Sequence, residues 1–297
     1  MARMTTCSYI HMHTHAASPQ ITMMKHTHTM PGTLFIKFAL LLMACFYLAF
    51  PAAAQPLNAL RQQAEQGSAQ AQYQLGRKYD LGQGIQQDYA AAASWYLKAA
   101  EQGHVNAQYS LAEIYYYQGD GIARDLEAAF SWYLKAAQQG DAHAQFNVAR
   151  MYHKGEGVGH SLADAYSWYL KAAQQDYTPA QFNIAMMYEI GEGVERNLET
   201  AHSWYLKAAQ QGDANAQFNV AHMYYSGEGV QQNLETAFSW YLKAAQQGDV
   251  DAQFNVSYMY YHGKGVQQNQ QQAQLWMTRA AEQGNTKAQN VLHDWFE

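Results

Sequence analysis

The heptapeptide Ser-Trp-Tyr-Leu-Lys-Ala-Ala recurs through most of this chain, and its spacing restricts the folds that the chain can adopt. It occurs five times without change, beginning at Ser94, Ser131, Ser167, Ser203 and Ser239. A sixth, altered copy covers residues 275–281. Successive copies lie 36 or 37 residues apart. A fixed period of this size indicates an array of one small supersecondary unit.

Each repeat reads as two helices joined by a glycine turn. In the third repeat, Ala144, Val148 and Met151 recur at helical spacing and predict a buried stripe on the first helix. A Gly-x-Gly turn follows, and we expect its glycines to adopt positive φ. The turns contain Gly82/Gly84, Gly119/Gly121, Gly155/Gly157, Gly191/Gly193, Gly227/Gly229 and Gly263/Gly265.

The second helix of each repeat carries its own start and stop signals. Its predicted N-cap residues are Asp88, Asp125, Ser161, Asn197, Asn233 and Asn269. A Lys or Arg in the last turn suits the helix dipole, and glycine ends most copies. The third repeat differs: Asp176 replaces the glycine, and Thr178 and Pro179 read as N-cap and first residue of the next helix.

Alanine dominates the expected helix contacts, so we expect each repeated tryptophan to fill the remaining core space.

These units predict an all-α fold, an α/α solenoid of six helix pairs with capping helices at both ends. The six repeats run over residues 69–103, 105–140, 142–176, 178–212, 214–248 and 250–284. Residues 55–67 match the second half of a repeat, and residues 286–297 match the first half. Half-units at the ends cover the terminal apolar faces of a solenoid. We therefore assign residues 55–297 to one solenoid domain.

The pattern Ala-x-Ala-x3-Leu-Gly-x2-Tyr-x2-Gly-x-Gly at residues 69–84 resembles the Sel1-like repeat, a relative of the tetratricopeptide repeat. The pattern Ala-x2-Trp-Tyr-x-Lys-Ala-Ala-x2-Gly at residues 92–103 resembles it too, and the likeness covers about residues 57–297. The resemblance implies a right-handed superhelix whose first helices line a concave, protein-binding face. It also implies an adaptor role, as in bacterial envelope assembly, exopolysaccharide export, host-cell entry or endoplasmic-reticulum degradation.

Residues 1–54 differ in composition from the repeats, and residues 37–54 resemble a targeting segment. Lys37 precedes an apolar run at residues 38–50, and an Ala-x-Ala exit ends at Ala54. This pattern predicts a signal peptide cleaved after Ala54 and export to the periplasm or the medium. A membrane anchor is the alternative, although the run is shorter than the roughly 20 residues that span a bilayer.

Two further questions stay open at this end of the chain. Cys45 follows Leu42-Met43-Ala44, which loosely resembles the lipidation motif of bacterial lipoproteins. Translation can begin at Met1, Met24 or Met30, since the first 23 residues resemble no targeting segment.

The charge of the repeats restricts the class of partner. Residues 55–297 contain 15 Lys and Arg against 24 Asp and Glu. This acidic balance argues against nucleic acid and against an anionic membrane surface. The only cysteines, Cys7 and Cys45, precede the repeats, so thiolate metal sites are excluded there. We expect a monomer that binds a protein or peptide, with no cofactor, no metal and no membrane span in the mature chain.

Positions that differ between near-identical repeats are not set by the shared packing. One such column lies two residues before the tyrosine of each first helix, and another lies three residues further on, along the same helix face. By analogy with tetratricopeptide repeats, both columns face the groove. The candidate partner-binding residues, which we call the variable face, are Arg77, Glu113, Arg150, His153, Met186, Glu189, His222, Tyr225, Tyr258 and Tyr261. The alternative is an unconstrained solvent surface.

A recurring asparagine in the first helices also requires an explanation, because Asn is a mediocre helix former. The column contains Asn147, Asn183, Asn219 and Asn255. Two roles fit an amide at the same point of successive helices. It forms a hydrogen-bond ladder between repeats, or it binds the main chain of a peptide.

Catalytic and metal-binding patterns are absent from the repeats. The turn acids Asp120, Glu156, Glu192 and Glu228 occur once per repeat, too few for calcium, and we expect exposed turns. No nucleophile elbow, phosphate loop or His-Glu-x-x-His motif occurs. We therefore predict an exported, non-enzymatic scaffold. The alternatives are a secreted effector or a cell-wall-active protein of the penicillin-binding, β-lactamase-like or glycan-binding type, which the missing cysteines of that family branch disfavour.

Overall fold

The computed structural model describes residues 57–117 and 122–296, and all regular secondary structure in these ranges is helical. The predicted signal peptide and the turn glycines Gly119 and Gly121 lie outside the described residues. No helix within the described ranges is long and apolar enough to cross a membrane.

Fourteen helices occupy the described residues. In chain order they are α1 (Leu57–Glu65), α2 (Ala69–Leu81), α3 (Tyr89–Glu101), α4 (Val105–Tyr117), α5 (Leu126–Gln138), α6 (Ala142–Lys154), α7 (Leu162–Ala173), α8 (Thr178–Ile190), α9 (Leu198–Gln210), α10 (Ala214–Ser226), α11 (Leu234–Gln246), α12 (Val250–His262), α13 (Gln270–Glu282) and α14 (Thr286–Phe296). The even-numbered helices α2 to α12 are the first helices of the six repeats, and the odd-numbered helices α3 to α13 are the second helices.

Packing follows the order of the chain. From α2 to α14, each helix packs mainly against the helices directly before and after it. Every second helix is therefore held between the first helix of its own repeat and that of the next one. This arrangement confirms the predicted all-α solenoid of six helix pairs.

The predicted helix signals are confirmed by the backbone geometry. Each predicted N-cap residue of a second helix accepts a hydrogen bond from the backbone N–H three residues later. Five first helices end at a glycine in the left-handed region, as in Gly155 with φ 69° and Gly191 with φ 77°. The N-cap side chain and the C-cap glycine both provide hydrogen bonds for backbone groups that a helix end leaves without partners.

The predicted start of α8 is wrong by one residue. Thr178 is already helical, and Tyr177 is the N-cap residue, with no side-chain capping bond. The Tyr177 ring packs on Phe146, with ring centroids 5.4 Å apart, and the Tyr177 carbonyl accepts the Gln181 backbone N–H at 3.1 Å. This anchoring fixes the helix start. Asp176 precedes it with φ 60°, the only positive value at a non-glycine residue in the described ranges.

The prediction that tryptophan fills the core of each repeat holds only for the altered sixth copy, where Trp276 is buried; in the five unaltered copies the next residue, a tyrosine, fills the core. Tyr96, Tyr133 and Tyr205 are at most 1% exposed. In contrast, Trp132 and Trp168 are partly buried, and each packs against the apolar clusters of two neighbouring repeats. The two side chains differ by about 100° around the helix, so the tyrosine faces the paired helix while the tryptophan faces the boundary between repeats.

The repeated lysine covers the tryptophan ring. Each ammonium of the five unaltered copies lies 3.6 to 4.1 Å from the ring centroid of the tryptophan three residues earlier. In the altered sixth copy, Arg279 takes the same place over Trp276. These cation–π contacts shield the partly buried indoles from water.

A buried glutamine in each first helix ties the repeats together. Its Nε2 donates to an alanine carbonyl at the end of the preceding second helix, and its Oε1 accepts from the glutamine that follows the second helix of its own repeat. For Gln181, which is fully buried, the distances are 3.2 Å to Ala173 O and 2.8 Å from Gln211 Nε2. The same bonds form at Gln72, Gln108, Gln145, Gln217 and Gln253. We call this row the glutamine ladder.

Replacing one member of the glutamine ladder should destabilise the fold. In Gln181→Ala, the Ala173 carbonyl keeps only its bond from the Asp176 backbone N–H, and the Gln211 amide loses its acceptor. We expect a loss of about 2 kcal/mol in the free energy of unfolding, measured from urea unfolding followed by circular dichroism. The control Gln210→Ala alters an exposed glutamine and should change stability by less than about 0.5 kcal/mol. Equal midpoints for the two variants would contradict a structural role for the ladder.

Two nearby glycines offer a matched test of the turn. A Cβ at Gly157, where φ is 68°, would lie 2.1 Å from the Leu126 carbonyl oxygen. At Gly159 a Cβ would meet nothing within 4 Å. We expect Gly157→Ala to cost on the order of 3 kcal/mol, from left-handed strain plus overlap with the neighbouring backbone. Gly159→Ala should leave the stability almost unchanged. Thermal unfolding of the two variants and the wild type measures both effects.

Candidate partner-binding face

The variable face lies on the first helices, and its residues differ in exposure. Arg77 and His222 are exposed, whereas the other eight members are partly buried. The structure joins several of the buried members through hydrogen bonds and ring contacts to neighbouring repeats. Within the described ranges, neither Arg77 nor His222 has a side-chain contact of this kind with another member of the face. Binding by these residues stays a prediction.

The heptapeptide tyrosine has its ring in the core, and its hydroxyl contacts the first helix at the variable face. The Tyr96 hydroxyl donates to Asp80 at 3.0 Å, and the Tyr205 hydroxyl donates to Glu189 at 2.6 Å. Tyr133 donates in the same way to Glu113. Each carboxylate belongs to the first helix of the same repeat. The sequence analysis missed this role because it treated the heptapeptide as core alone, although a tyrosine in every copy was a visible signal.

Burial and the neighbouring carboxylates raise the pKa of these tyrosines. For Tyr96, Tyr133 and Tyr205, burial is the largest cause, and the negative charge of Asp80, Glu113 or Glu189 adds to it. The hydroxyls therefore stay protonated and hold the carboxylates of the face in fixed positions.

The turn residues of the repeats also belong to this face. The Glu156 carboxylate accepts from the Tyr116 hydroxyl of the preceding repeat at 2.6 Å. Glu192 lies 3.3 Å from His153 Nε2, again in the preceding repeat. Glu156 and Glu192 are partly buried, so the expectation of exposed turns is wrong for them, because a turn and the preceding first helix are neighbours in the solenoid. Glu228 is exposed as expected.

Arg150 occupies the middle of the face. Its guanidinium lies 4.7 Å from the ring centroid of Tyr116, and its Nε and Nη2 atoms have no hydrogen-bond acceptor. Glu113 from the preceding repeat belongs to the same neighbourhood, since it accepts from Tyr133, which is a neighbour of Arg150. The site therefore holds a cation beside aromatic rings, with two buried donor atoms that lack an acceptor.

The last repeats form an aromatic end of the face. Lys264, at the turn position that carries an acid in earlier repeats, donates to the hydroxyls of Tyr225 at 3.1 Å and Tyr258 at 3.0 Å. Tyr261 stacks on Trp295 of the capping helix, with ring centroids 4.3 Å apart. A cavity of about 210 Å³ is lined by Tyr225, Tyr241, Phe254, Asn255, Tyr258 and Met259, and two of these residues, Tyr225 and Tyr258, bind Lys264.

The asparagine column has no single role. Asn147 Nδ2 lies 3.4 Å from Glu113 of the preceding repeat, and Asn219 lies within hydrogen-bond reach of Tyr205. Asn183 donates to the Pro179 carbonyl of its own helix at 2.7 Å. The predicted ladder between repeats therefore holds for only part of this column, and the continuous ladder is built from glutamine. Asn255 lies in the wall of the cavity.

No group of three or more His, Cys, Asp or Glu side chains that could hold a metal ion is found in the described ranges.

The buried tyrosines predict a loss of stability at alkaline pH. Their pKa values are raised in the folded state, so their contribution is complete below the unfolded value of about 10 and falls as the pH rises above it. We expect the free energy of unfolding to begin to fall near about pH 10 and to decrease further as the pH rises above that value. Tyr205→Phe should show a smaller drop, since it removes one titrating group. Urea unfolding at several pH values checks this, and a pH-independent stability would contradict it.

The fold and the variable face define a helical-repeat protein. Its repeats have nearly the same buried residues, and they differ in the side chains of the variable face on the first helices. The chain belongs to the Sel1 repeat family. The family model, described as Sel1 repeat, matches residues 69–104, 105–141, 142–177, 178–213, 214–249 and 250–285. No curated protein matches the chain.

Two solved structures share the fold at substantial identity. One is c5321, a protective antigen present in uropathogenic Escherichia coli strains that displays an SLR fold; it is 38% identical, with a TM-score of 0.77 over 80% of this chain and 51% of that one. The other is a Sel1 repeat protein from Oxalobacter formigenes, 36% identical, with a TM-score of 0.69 over 79% of this chain and 68% of that one. The chain thus spans about half the length of c5321.

Proposed function

We propose that this protein is an exported, non-enzymatic scaffold that binds a partner protein through the variable face. One observation carries the proposal: the interior of the repeats is nearly constant, while the side chains along the first helices change from repeat to repeat. A surface that only had to close the solenoid would require no such variation. Repeat proteins present extended surfaces of this kind to their ligands.

The chemistry of the face suits an extended polypeptide. Its early repeats carry charged groups such as Glu113 and Arg150, and its last repeats carry Tyr225, Tyr258 and Tyr261. Arginine and tyrosine are enriched among the residues that dominate binding energies at protein interfaces. Arg150 contributes a positive charge to the middle of the face, where its guanidinium lies 4.7 Å from the ring centroid of Tyr116.

Export is proposed on the N-terminal sequence. The basic residue, apolar run and Ala-x-Ala exit of residues 37–54 are typical of a signal peptide. The description of the related c5321 as a protective antigen supports the same interpretation.

A capture experiment tests the scaffold role. The full chain is used as bait in envelope extract from its host, and captured proteins are identified by mass spectrometry. A face variant combines Arg77→Ala, Arg150→Met and His222→Ala. A control variant combines Ser131→Ala, Gln210→Ala and Lys243→Ala, three exposed positions of the second helices. Circular dichroism verifies that both variants keep the helicity of the wild type.

We expect a specific protein to be captured by the wild type and by the control variant, and to be lost with the face variant. The methionine at position 150 keeps the volume of the arginine while it removes the charge and the donors. A protein lost with the control variant alone would move the binding site to the second helices. Equal capture by all three proteins would contradict the proposed face.

A further inference from the structure

The boundary between the fifth and sixth repeats differs chemically from the earlier boundaries. In the third and fourth repeats the turn residue is a carboxylate, Glu156 or Glu192, that binds a side chain of the preceding repeat. In the sixth repeat the same position is Lys264, which binds Tyr225 of the preceding repeat and Tyr258 of its own. The sixth repeat thus supplies a cation where the earlier ones supply an anion.

Lys264 and the two tyrosines that it binds are hydrogen-bond donors and include no anion; the carboxylate that acts on the cavity wall, that of Asp249, does so at Tyr241. An ammonium has three N–H donors, and the tyrosine hydroxyls accept two of those of Lys264. Since each hydroxyl accepts from Lys264, its own proton remains free to donate. Among the described residues, no acceptor for these protons and no carboxylate paired with Lys264 is found. A ligand that fits here must accept hydrogen bonds and carry negative charge.

The adjoining cavity defines the rest of the ligand. Its walls are mainly aromatic and apolar, and Asn255 contributes an amide that has no hydrogen-bond partner among the described residues. The volume of about 210 Å³ is smaller than the roughly 300 to 1,000 Å³ of typical small-molecule sites. It suits a single apolar side chain. Because Tyr225 and Tyr258 belong to both the cavity wall and the donor cluster, the anion and the side chain must be close neighbours.

We propose that this site, which we call the Lys264 pocket, binds the C-terminal residue of a partner protein. The terminal carboxylate accepts from the Lys264 ammonium and the two tyrosine hydroxyls, and an apolar side chain enters the cavity. A C-terminal apolar residue carries both groups on one Cα, whereas in Asp or Glu the side chain itself is the anion and leaves the cavity empty. The proposal rests on the scaffold function and specifies the chemistry of its partner.

A titration with two small ligands tests the Lys264 pocket. The full chain, labelled with ¹⁵N, is titrated with N-acetyl-L-leucine and separately with N-acetyl-L-leucinamide, and backbone amide shifts are followed by NMR. The two ligands share the side chain and differ only in the carboxylate. We expect the acid to shift amides of α10, α12 and residues 263–265, and the amide ligand to shift them much less. Inorganic phosphate is titrated as a third ligand.

Matched charge variants locate the binding. Lys264→Glu gives the sixth repeat the acid that the third and fourth repeats carry, so the fold should tolerate it. We expect it to weaken binding of N-acetyl-L-leucine at least about tenfold, since a charge-assisted hydrogen bond is lost and a repulsion is added. Lys154→Glu makes the same change of charge at an exposed position at the end of α6 and should bind like the wild type.

Several results would overturn the proposal. These are no shift with the acid, equal shifts with the acid and the amide ligand, and unchanged binding by Lys264→Glu. If phosphate shifts the same backbone amides as strongly as N-acetyl-L-leucine does, the pocket is a general anion site. This result would also overturn the assignment to a C-terminus. None of these results affects the capture experiment, because its variants leave Lys264, Tyr225 and Tyr258 intact.

Discussion

The structure depends above all on the buried side-chain amide of the glutamine ladder. Each second helix ends near an alanine carbonyl that accepts one backbone N–H of the following turn, as Ala173 does from Asp176, and its second lone pair is left for a donor from the next repeat. Gln181 and its equivalents satisfy that carbonyl and at the same time bind the glutamine after the next second helix. One residue type therefore fixes three helices at each step, and the apolar contacts of alanine and tyrosine form around this fixed spacing.

The same regular interior leaves the first helices free to differ. The tyrosine of the heptapeptide is held in the core, but its hydroxyl emerges at the face, where Asp80, Glu113 or Glu189 accepts its proton. Turn residues complete the face from the next repeat. The core and the variable face are thus coupled through shared tyrosines, and in the sixth repeat the turn residue that binds the preceding repeat is Lys264 instead of an acid.

The sequence predicted the helix pairs and their caps with good accuracy because these depend on local chemistry. Asp88 and Asn197 cap their helices through bonds to residues three positions away, and the turn glycines supply left-handed geometry that other residues adopt with strain. The period of the heptapeptide likewise fixed the number of repeats. The candidate site was predicted less completely: the columns of the variable face were readable, but their partners, such as Glu192 for His153, lie in another repeat.

The sequence by itself determined the class of fold, since periodicity, capping and glycine placement act within a few residues. The tertiary structure alone decided which aromatic ring of the heptapeptide is buried, which amide column forms the ladder, and which tyrosines bind Lys264. These features depend on distances between residues that are 30 or more positions apart, as in Gln211 and Gln181 or Lys264 and Tyr225. Such distances exist only once the helices have packed.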